Sequence, residues 1–325
     1  MRPGKLFAKQ KCSRLDSLNE QRMQNSKIVV FGSSGQVGWE LRHKLACLGQ
    51  VTGVEYPEVD FRNPQSVRDA LRSAQPGVII NAAAYTAVDK AESEPDLAMA
   101  INGAAPAVIA EEARRLGSIL VHYSTDYVFD GTKQSPYVET DATNPMNIYG
   151  KTKLAGDEAI QASGCEYLIL RTSWVYGARG NNFLLTMLRL AGEREELRIV
   201  DDQTGGPTSS ECIAQATADI LAQVLGPSGG GLEGRSGIYN LTNAGETTWF
   251  GFAQALLGRA SRNLGTATPK LVPIPTSEFP RPARRPANSR LSCQRLEETF
   301  GVRMPHWEDA LSLVLETLRD GVARA

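Results

Sequence analysis

The sequence predicts an α/β fold built on a doubly wound parallel sheet, with a smaller carboxyl-terminal α/β lobe. Three observations carry the prediction. Short apolar runs rich in β-branched residues recur as buried parallel strands do, amphipathic segments separate them, and a glycine-rich turn joins the first run to a helix.

The first run is Lys27-Ile28-Val29-Val30-Phe31. It leads straight into Gly32-Ser33-Ser34-Gly35-Gln36-Val37-Gly38, and an amphipathic helix follows through Trp39, Leu41, Leu45 and Leu48, with Gly49 as its stop. Strand, glycine loop and helix in succession are the context of a dinucleotide site, so the sheet reads as Rossmann-type. Gly32 permits the tight turn, Gly35 lets the backbone approach a pyrophosphate, and Gly38 allows close helix–strand packing. The helix amino terminus beyond them suits phosphate. The second strand, Val51 to Tyr56, brings Glu55 to the distance expected of a ribose-binding acid, which favours NADH; Arg62 nearby offsets that charge and admits NADPH. Asp60 and Phe61 are placed to flank an adenine, although Asp60 serves equally well as a turn cap. The third strand, Val78 to Asn81, ends in Ala82-Ala83-Ala84, small residues that leave room for a flat ligand.

The fourth strand begins at Ile119 and ends in hydroxyls. Either Ser124 or Thr125 fits the role of polarising a substrate carbonyl on spacing alone, while Asp126 suits a turn cap or a sugar hydroxyl equally. His122, inside the apolar run, reads as a packing residue. Beyond it, Tyr149 and Lys153 are four apart and share one helix face. An ammonium beside a phenol lowers the phenol pKa and makes Tyr149 a workable proton donor near neutrality. A fifth strand spans Tyr167–Thr172. After Gly177 helices lengthen, and Gly229-Gly230-Gly231 reads as a surface loop.

Several segments in one order make a more specific pattern. Asn81–Glu92, Ser124–Gly131, Tyr149–Gly156, Arg171–Gly177, Asn181–Phe183, Asp202–Thr208 and Pro282–Leu291 resemble successive motifs of the dTDP-4-dehydrorhamnose reductases, members of the extended short-chain dehydrogenases/reductases, and the Gly-x-x-Gly-x-x-Gly spacing agrees. The resemblance implies NADPH- or NADH-dependent reduction of the C4 ketone of dTDP-4-dehydro-β-L-rhamnose. It implies Thr125, Tyr149 and Lys153 as catalytic residues. Gly35, Gln36, Val37, Glu55, Asp60, Phe61, Ala84, Tyr85 and Thr86 match family cofactor positions, with Ala82 and Ala83 beside them. Asp126 and Trp174 match sugar-nucleotide positions, and Arg284, whose guanidinium fork suits phosphate oxygens, joins them. Glu40 and Glu211 match acidic positions associated with a magnesium-bridged dimer in some relatives; two isolated carboxylates do not establish a metal site, so a homodimer and Mg²⁺ stay open here. Two rivals share the fold: a non-catalytic regulatory subunit resembling the methionine adenosyltransferase β-subunit, and a sugar-nucleotide epimerase or dehydratase. The intact Thr125, Tyr149 and Lys153 set speaks against the first. The second is disfavoured because Thr125-Asp126-Tyr127 lacks the acidic pair of dehydratases.

Composition bounds the alternatives. The 325 residues are 42% hydrophobic with net charge −1 and no sustained basic stripe, which speaks against nucleic acid and membrane surfaces as partners. Five scattered cysteines without Cys-x-x-Cys fit a reducing cytoplasm. The expected organisation is a disordered extension over 1–26, a cofactor domain over 27–177, and a substrate lobe over 178–325 interleaved with it.

Overall fold

The computed structural model describes residues 27–226 and 231–322, so the expectations for residues 1–26, Gly229 and Gly230 lie outside the described residues. In chain order the strands are β1 (Lys27–Phe31), β2 (Gln50–Val54), β3 (Val78–Asn81), β4 (Ile119–Thr125), β5 (Tyr167–Thr172), β6 (Val175–Tyr176), β7 (Glu196–Val200), β8 (Thr204–Gly205), β9 (Thr208–Ser209), β10 (Gly237–Asn240), β11 (Thr247–Thr248) and β12 (Lys270–Ile274). The helices are α1 (Gln36–Lys44), α2 (Pro64–Ala74), α3 (Val88–Ala91), α4 (Pro95–Met99), α5 (Ala105–Leu116), α6 (Ile148–Ser163), α7 (Phe183–Glu193), α8 (Ser210–Leu225), α9 (Trp249–Leu264), α10 (Gln294–Phe300) and α11 (Trp307–Val322). A π-helical turn over Ala100–Ala104 joins α4 to α5.

The six-stranded sheet runs β10-β5-β4-β3-β1-β2, parallel throughout. Alternation along β1 shows why these strands read as continuous apolar runs. Ile28 and Val30 face one core with Leu41, Leu45, Ile213 and Ile220, whereas Val29 and Phe31 face the other with Val67, Leu71, Ile109 and Ile160. Both faces are therefore covered by helices. The chain steps from β1 to β2 on one side and then to β3 on the other, which opens a crevice at the carboxyl ends of β1 and β3.

Two element boundaries differ from expectation. The first helix ends at Lys44, with Leu45 and Leu48 continuing into the core through turns, and the second strand covers Gln50–Val54. The burial of Leu45 and Leu48 is satisfied without helix, so their periodicity overstated its length.

A second core lies in the carboxyl-terminal half, where α7, α9 and α11 bury Leu184, Phe252, Leu256 and Leu311 beside the parallel β7–β12 pair. The division is not linear in sequence, because β10 and α8 return to the large sheet. Among the described residues no helix is long and apolar enough to cross a membrane.

Candidate active site

Close backbone packing builds the crevice. Gly32 has φ +74°, and a Cβ there would lie 2.6 Å from the Ala83 nitrogen and 2.8 Å from the Ala82 carbonyl carbon. At Gly38 a Cβ would fall 2.0 Å from the Gly32 carbonyl oxygen, so helix α1 meets the turn as only glycine allows. Beside the turn is a cavity of about 430 Å³ whose lining includes Gly32, Glu55, Asp60, Phe61, Ala84 and Tyr85. Phe61 packs edge-on to Phe31 at 5.4 Å. The glycine turn, the alanine wall and this adenosine-sized hollow fit a dinucleotide.

Several of the residues expected to hold the cofactor are already engaged. The Glu55 carboxylate accepts the Ser34 backbone N–H, so it braces the glycine loop rather than standing free for a ribose. Asp60 takes the Arg62 guanidinium through two oxygens at 2.9 and 2.6 Å, and also accepts the Arg62 N–H at 2.9 Å. The turn-cap reading of Asp60 is the one realised, and Arg62 is not a free cation for a 2′-phosphate. The Gln36 amide accepts from Asn182 at 2.9 Å, Val37 packs on the sheet core, and the Tyr85 hydroxyl donates to Glu94 at 2.6 Å. Ala82 also packs on the core, while Ser34, Gly35 and Thr86 are exposed.

Helix α6 forms the opposite wall. Asn147 caps it, its side-chain oxygen accepting the Gly150 N–H at 2.8 Å, and the Ile148 N–H donates to Glu92 at 2.8 Å. Tyr149 is half-buried in this first turn, packed edge-on against Tyr127 at 5.5 Å. Thr125 ends β4 beside the phenol. Its hydroxyl donates to Asp126 Oδ1 at 3.0 Å and accepts the Tyr127 N–H at 3.2 Å. Ser124, the other candidate, turns away and donates to Asp157 at 2.7 Å. Thr125 is therefore the hydroxyl that meets Tyr149.

The electrostatics overturn one expectation. Burial pushes the Tyr149 phenol up from its ordinary value; the Thr125 hydroxyl partly offsets this, and the carboxylates of Asp126 and Asp157 add to the rise. Lys153 does not lower it. Its ammonium is buried, donating to the Tyr123 carbonyl at 2.6 Å and lying 3.2 Å from His122 Nε2. Burial lowers Lys153 itself to about 8, against the pull of Asp157.

Behind the wall lies a polar cluster that sequence reasoning missed. His122, fully buried, is more than packing: Nδ1 lies 3.0 Å from the Asn81 amide and Nε2 faces Lys153 and, at 3.8 Å, Asp157. Burial and Lys153 keep its pKa well below the usual imidazole value, so it is neutral. Asp157 also faces Arg171 at 3.7 Å, and burial raises its carboxyl pKa. The available signal was periodicity, since Asp157 continues the Tyr149–Lys153 face by another four residues. Asn102, in the π-helical turn, carried no such signal. Its side chain accepts the Tyr85 N–H at 2.8 Å and donates to Thr152 at 3.2 Å, joining the alanine segment to α6.

On the substrate side, Asp126 is buried and desolvation pushes its pKa up to about 6. Hydroxyls of Ser289 and Thr125 oppose that rise, while Oδ2 has no hydrogen-bond donor. A separate cavity of about 910 Å³, whose lining does not include Asp126, is walled by Phe183, Trp249, Phe279, Arg281 and Arg284. Trp174, at φ +47°, stacks on Trp249 with ring centroids 3.6 Å apart, so its contact with this cavity runs through its partner. Arg284 is exposed at the rim, whereas Arg285 is held by both Asp89 oxygens at 3.1 and 3.0 Å.

Glu40 and Glu211 do approach one another: burial first and Glu211 second raise the Glu40 pKa. Lys44 supplies a cation there, 2.9 Å from Glu211. Among the described residues no group of three or more His, Cys, Asp or Glu is placed to hold a metal.

Comparison with known proteins adds to this geometry. A family model described as "RmlD substrate binding domain" matches residues 26–320. A dTDP-4-dehydrorhamnose reductase of Burkholderia thailandensis is 50% identical over 90% of this chain and 99% of its own, and one of Escherichia coli K12 is 46% identical over 90% and 97%. The solved structure of a Bacillus anthracis dTDP-4-dehydrorhamnose reductase in complex with NADP superposes with TM-score 0.82 at 32% identity, covering 90% of this chain and 99% of that one.

Proposed function

The chain belongs to the dTDP-4-dehydrorhamnose reductase family, and from that premise we propose that it reduces the C4 ketone of dTDP-4-dehydro-β-L-rhamnose to dTDP-β-L-rhamnose with NADPH or NADH. The observation that supports the reading is the placement of Thr125 at the carboxyl end of β4 and Tyr149 in the first turn of α6, near enough for the Thr125 hydroxyl to act on the phenol.

When bound, the dihydronicotinamide supplies the hydride. The remaining steps fall to this chain's own residues. Thr125 and Tyr149 aim donors at the ketone oxygen where negative charge develops, the arrangement that gives the largest share of many rate enhancements. A phenol held up by burial stays protonated throughout the neutral range, so Tyr149 waits as a neutral donor and gives up its proton only as the alkoxide forms. Below about pH 8 Lys153 keeps an ammonium on the same helix face, where it would bind the ribose hydroxyls of the cofactor. The partnerless Asp126 Oδ2 accepts a sugar hydroxyl, and this removes its uncompensated burial. Arg284 takes a diphosphate oxygen, and Phe183 and Trp249 give the base an aromatic wall.

By the same reading residues 27–177 mainly hold the cofactor and 178–325 mainly the sugar nucleotide. The enzyme acts in the cytoplasm, as the free thiols of Cys47, Cys165, Cys212 and Cys293 support, and it works without nucleic acid or membrane partners. The Glu40–Glu211–Lys44 neighbourhood is a surface on which a homodimer forms. The deciding experiment incubates the purified chain with NADPH or NADH and the 4-keto sugar nucleotide. Stoichiometric cofactor oxidation with a dTDP-rhamnose product is the expected result. Absence of turnover would return the chain to the regulatory-subunit reading, and product without net oxidation to the epimerase or dehydratase reading.

A further inference from the structure

One side chain joins the two halves of the site. Asn147 is buried, and its amide is used at both ends: the oxygen caps α6 by accepting the Gly150 N–H, while the nitrogen donates to the Arg284 carbonyl at 2.8 Å. The loop it grips is otherwise clamped. Asp89 holds Arg285 through two oxygens and accepts the Ala283 N–H at 3.3 Å. Asn288 donates to the carbonyls of Lys133 and Ser135 at 2.6 and 3.0 Å. Between these fixed points the backbone at Arg284 has Asn147 as its side-chain tether, and the Arg284 guanidinium extends to the cavity rim.

The other end of the tether has little slack. The first turn of α6 is wedged against Tyr127, since a Cβ at Gly150 would lie 2.3 Å from its carbonyl oxygen, and the Ile148 N–H is tied to Glu92 just beyond α3. Tyr149 lies between the capping residue and the capped N–H. The Asn147 amide therefore fixes the Arg284 carbonyl in register with the turn that aims the phenol.

We propose that Asn147 is a positioning residue that links the arginine loop to the helix turn carrying Tyr149, so that a sugar-nucleotide diphosphate engaged at Arg284 sets the phenol on the ketone. This rests on the reading above, in which Arg284 meets the diphosphate and Tyr149 is the acid. It accounts for remote binding energy being realised at the reacting centre, as efficient catalysis requires.

The two ends of the amide separate by mutation. Asn147→Ser keeps a good helix cap and removes the donor to the loop, whereas Asn147→Ala removes both. A role in capping alone makes the serine variant equal to wild type in kcat and the alanine variant impaired; that outcome overturns the proposal. The tether makes both variants lose about ten- to a hundredfold in kcat. The serine variant keeps a near-wild-type melting temperature, and its KM for the dTDP-sugar changes by less than about threefold. Arg284→Ala, measured alone, raises KM and lowers kcat. Added to Asn147→Ser it lowers kcat no further, because the path is already cut. Independent, multiplying kcat losses would also overturn the link. An unchanged KM in Arg284→Ala alone would remove the diphosphate contact, a failure of the functional reading that takes the link down with it, whereas a raised KM with multiplying kcat losses overturns the link alone.

Discussion

The cofactor crevice and the cleft around Tyr149 share one sheet edge but are made of different materials. The crevice is shaped by backbone contact at Gly32, Gly38 and Ala83, and its charges, Glu55 with Ser34 and Asp60 with Arg62, lie at or near solvent. The cleft is shaped by buried titratable groups: Asp126, Lys153, His122 and Asp157 are all nearly inaccessible. Exposed charges are screened and exchange water for each other at little gain, whereas buried ones are held away from their ordinary pKa values by desolvation. Substitutions in the cleft should consequently be large and pH-dependent, and those in the crevice small and screened by salt.

The largest effect belongs to Tyr149→Phe. It removes a transition-state donor from a water-poor wall while leaving the ring in contact with Tyr127. We expect kcat to fall by about 10²–10³ or more with cofactor affinity unchanged. Steady-state rates combined with a fluorescence titration of NADPH check both halves, and wild-type turnover in the variant would take the phenol out of the chemistry.

That contrast of materials also explains what could be read from the sequence. Five of the six sheet strands, the glycine turn and the Tyr149–Lys153 face were legible because they depend on local spacing, which backbone geometry imposes directly, whereas the sixth strand, β10, returns from the carboxyl-terminal half and was not read. The direction of the phenol shift was not. Spacing places Lys153 on the right helix face but cannot say that its ammonium is taken by the Tyr123 carbonyl, which sits on β4 and comes near only through the tertiary fold. For Asp60 the turn cap was one of two readings held equally, and it was legible because Arg62 two residues away satisfies the carboxylate locally. Asn147 looks like an ordinary cap in sequence, and its second bond spans 137 residues to Arg284.

Next in size is Asp126→Asn, and its sign is opposite for stability and activity. In the folded chain this carboxyl titrates near 6, above its ordinary 3.8, so the folded state favours the protonated form. The stability it contributes is complete below about pH 4 and is lost as pH rises through about 6. An asparagine does not ionise. The variant should therefore become more stable than wild type by on the order of 2–3 kcal/mol above pH 6, with the gap closing toward pH 4. Denaturant melts of both proteins at several pH values test this, and a pH-independent gap would mean that Asp126 is not desolvated as described. Turnover should fall, because one carboxylate oxygen becomes an NH2 donor and the charge that strengthened acceptance of the sugar hydroxyl is gone.

Lys153→Met probes the same cleft from the cofactor side. Its ammonium is present below about pH 8 and lost above, so the variant should differ most from wild type at pH 6–7. There we expect the KM for NADPH to rise about tenfold, the equivalent of roughly 1.4 kcal/mol, with the difference shrinking as pH passes 8. A constant ratio from pH 6 to 9 would show that the lysine acts through packing and not through charge.

Glu55→Gln should give the smallest effect and serves as the control from the crevice. The amide oxygen can still accept the Ser34 N–H, so the glycine loop keeps its brace while the charge disappears. What changes is the repulsion felt by a 2′-phosphate near this wall of the cavity. The ratio of NADPH to NADH dissociation constants should move toward NADPH by about fivefold, the order of 1 kcal/mol expected of one solvent-accessible charge. Because that charge is screened, the shift should shrink as salt is raised. A large change in the ratio that added salt leaves untouched would put Glu55 in the same class as Asp126, and the division between a backbone-built crevice and a titratable cleft would no longer hold.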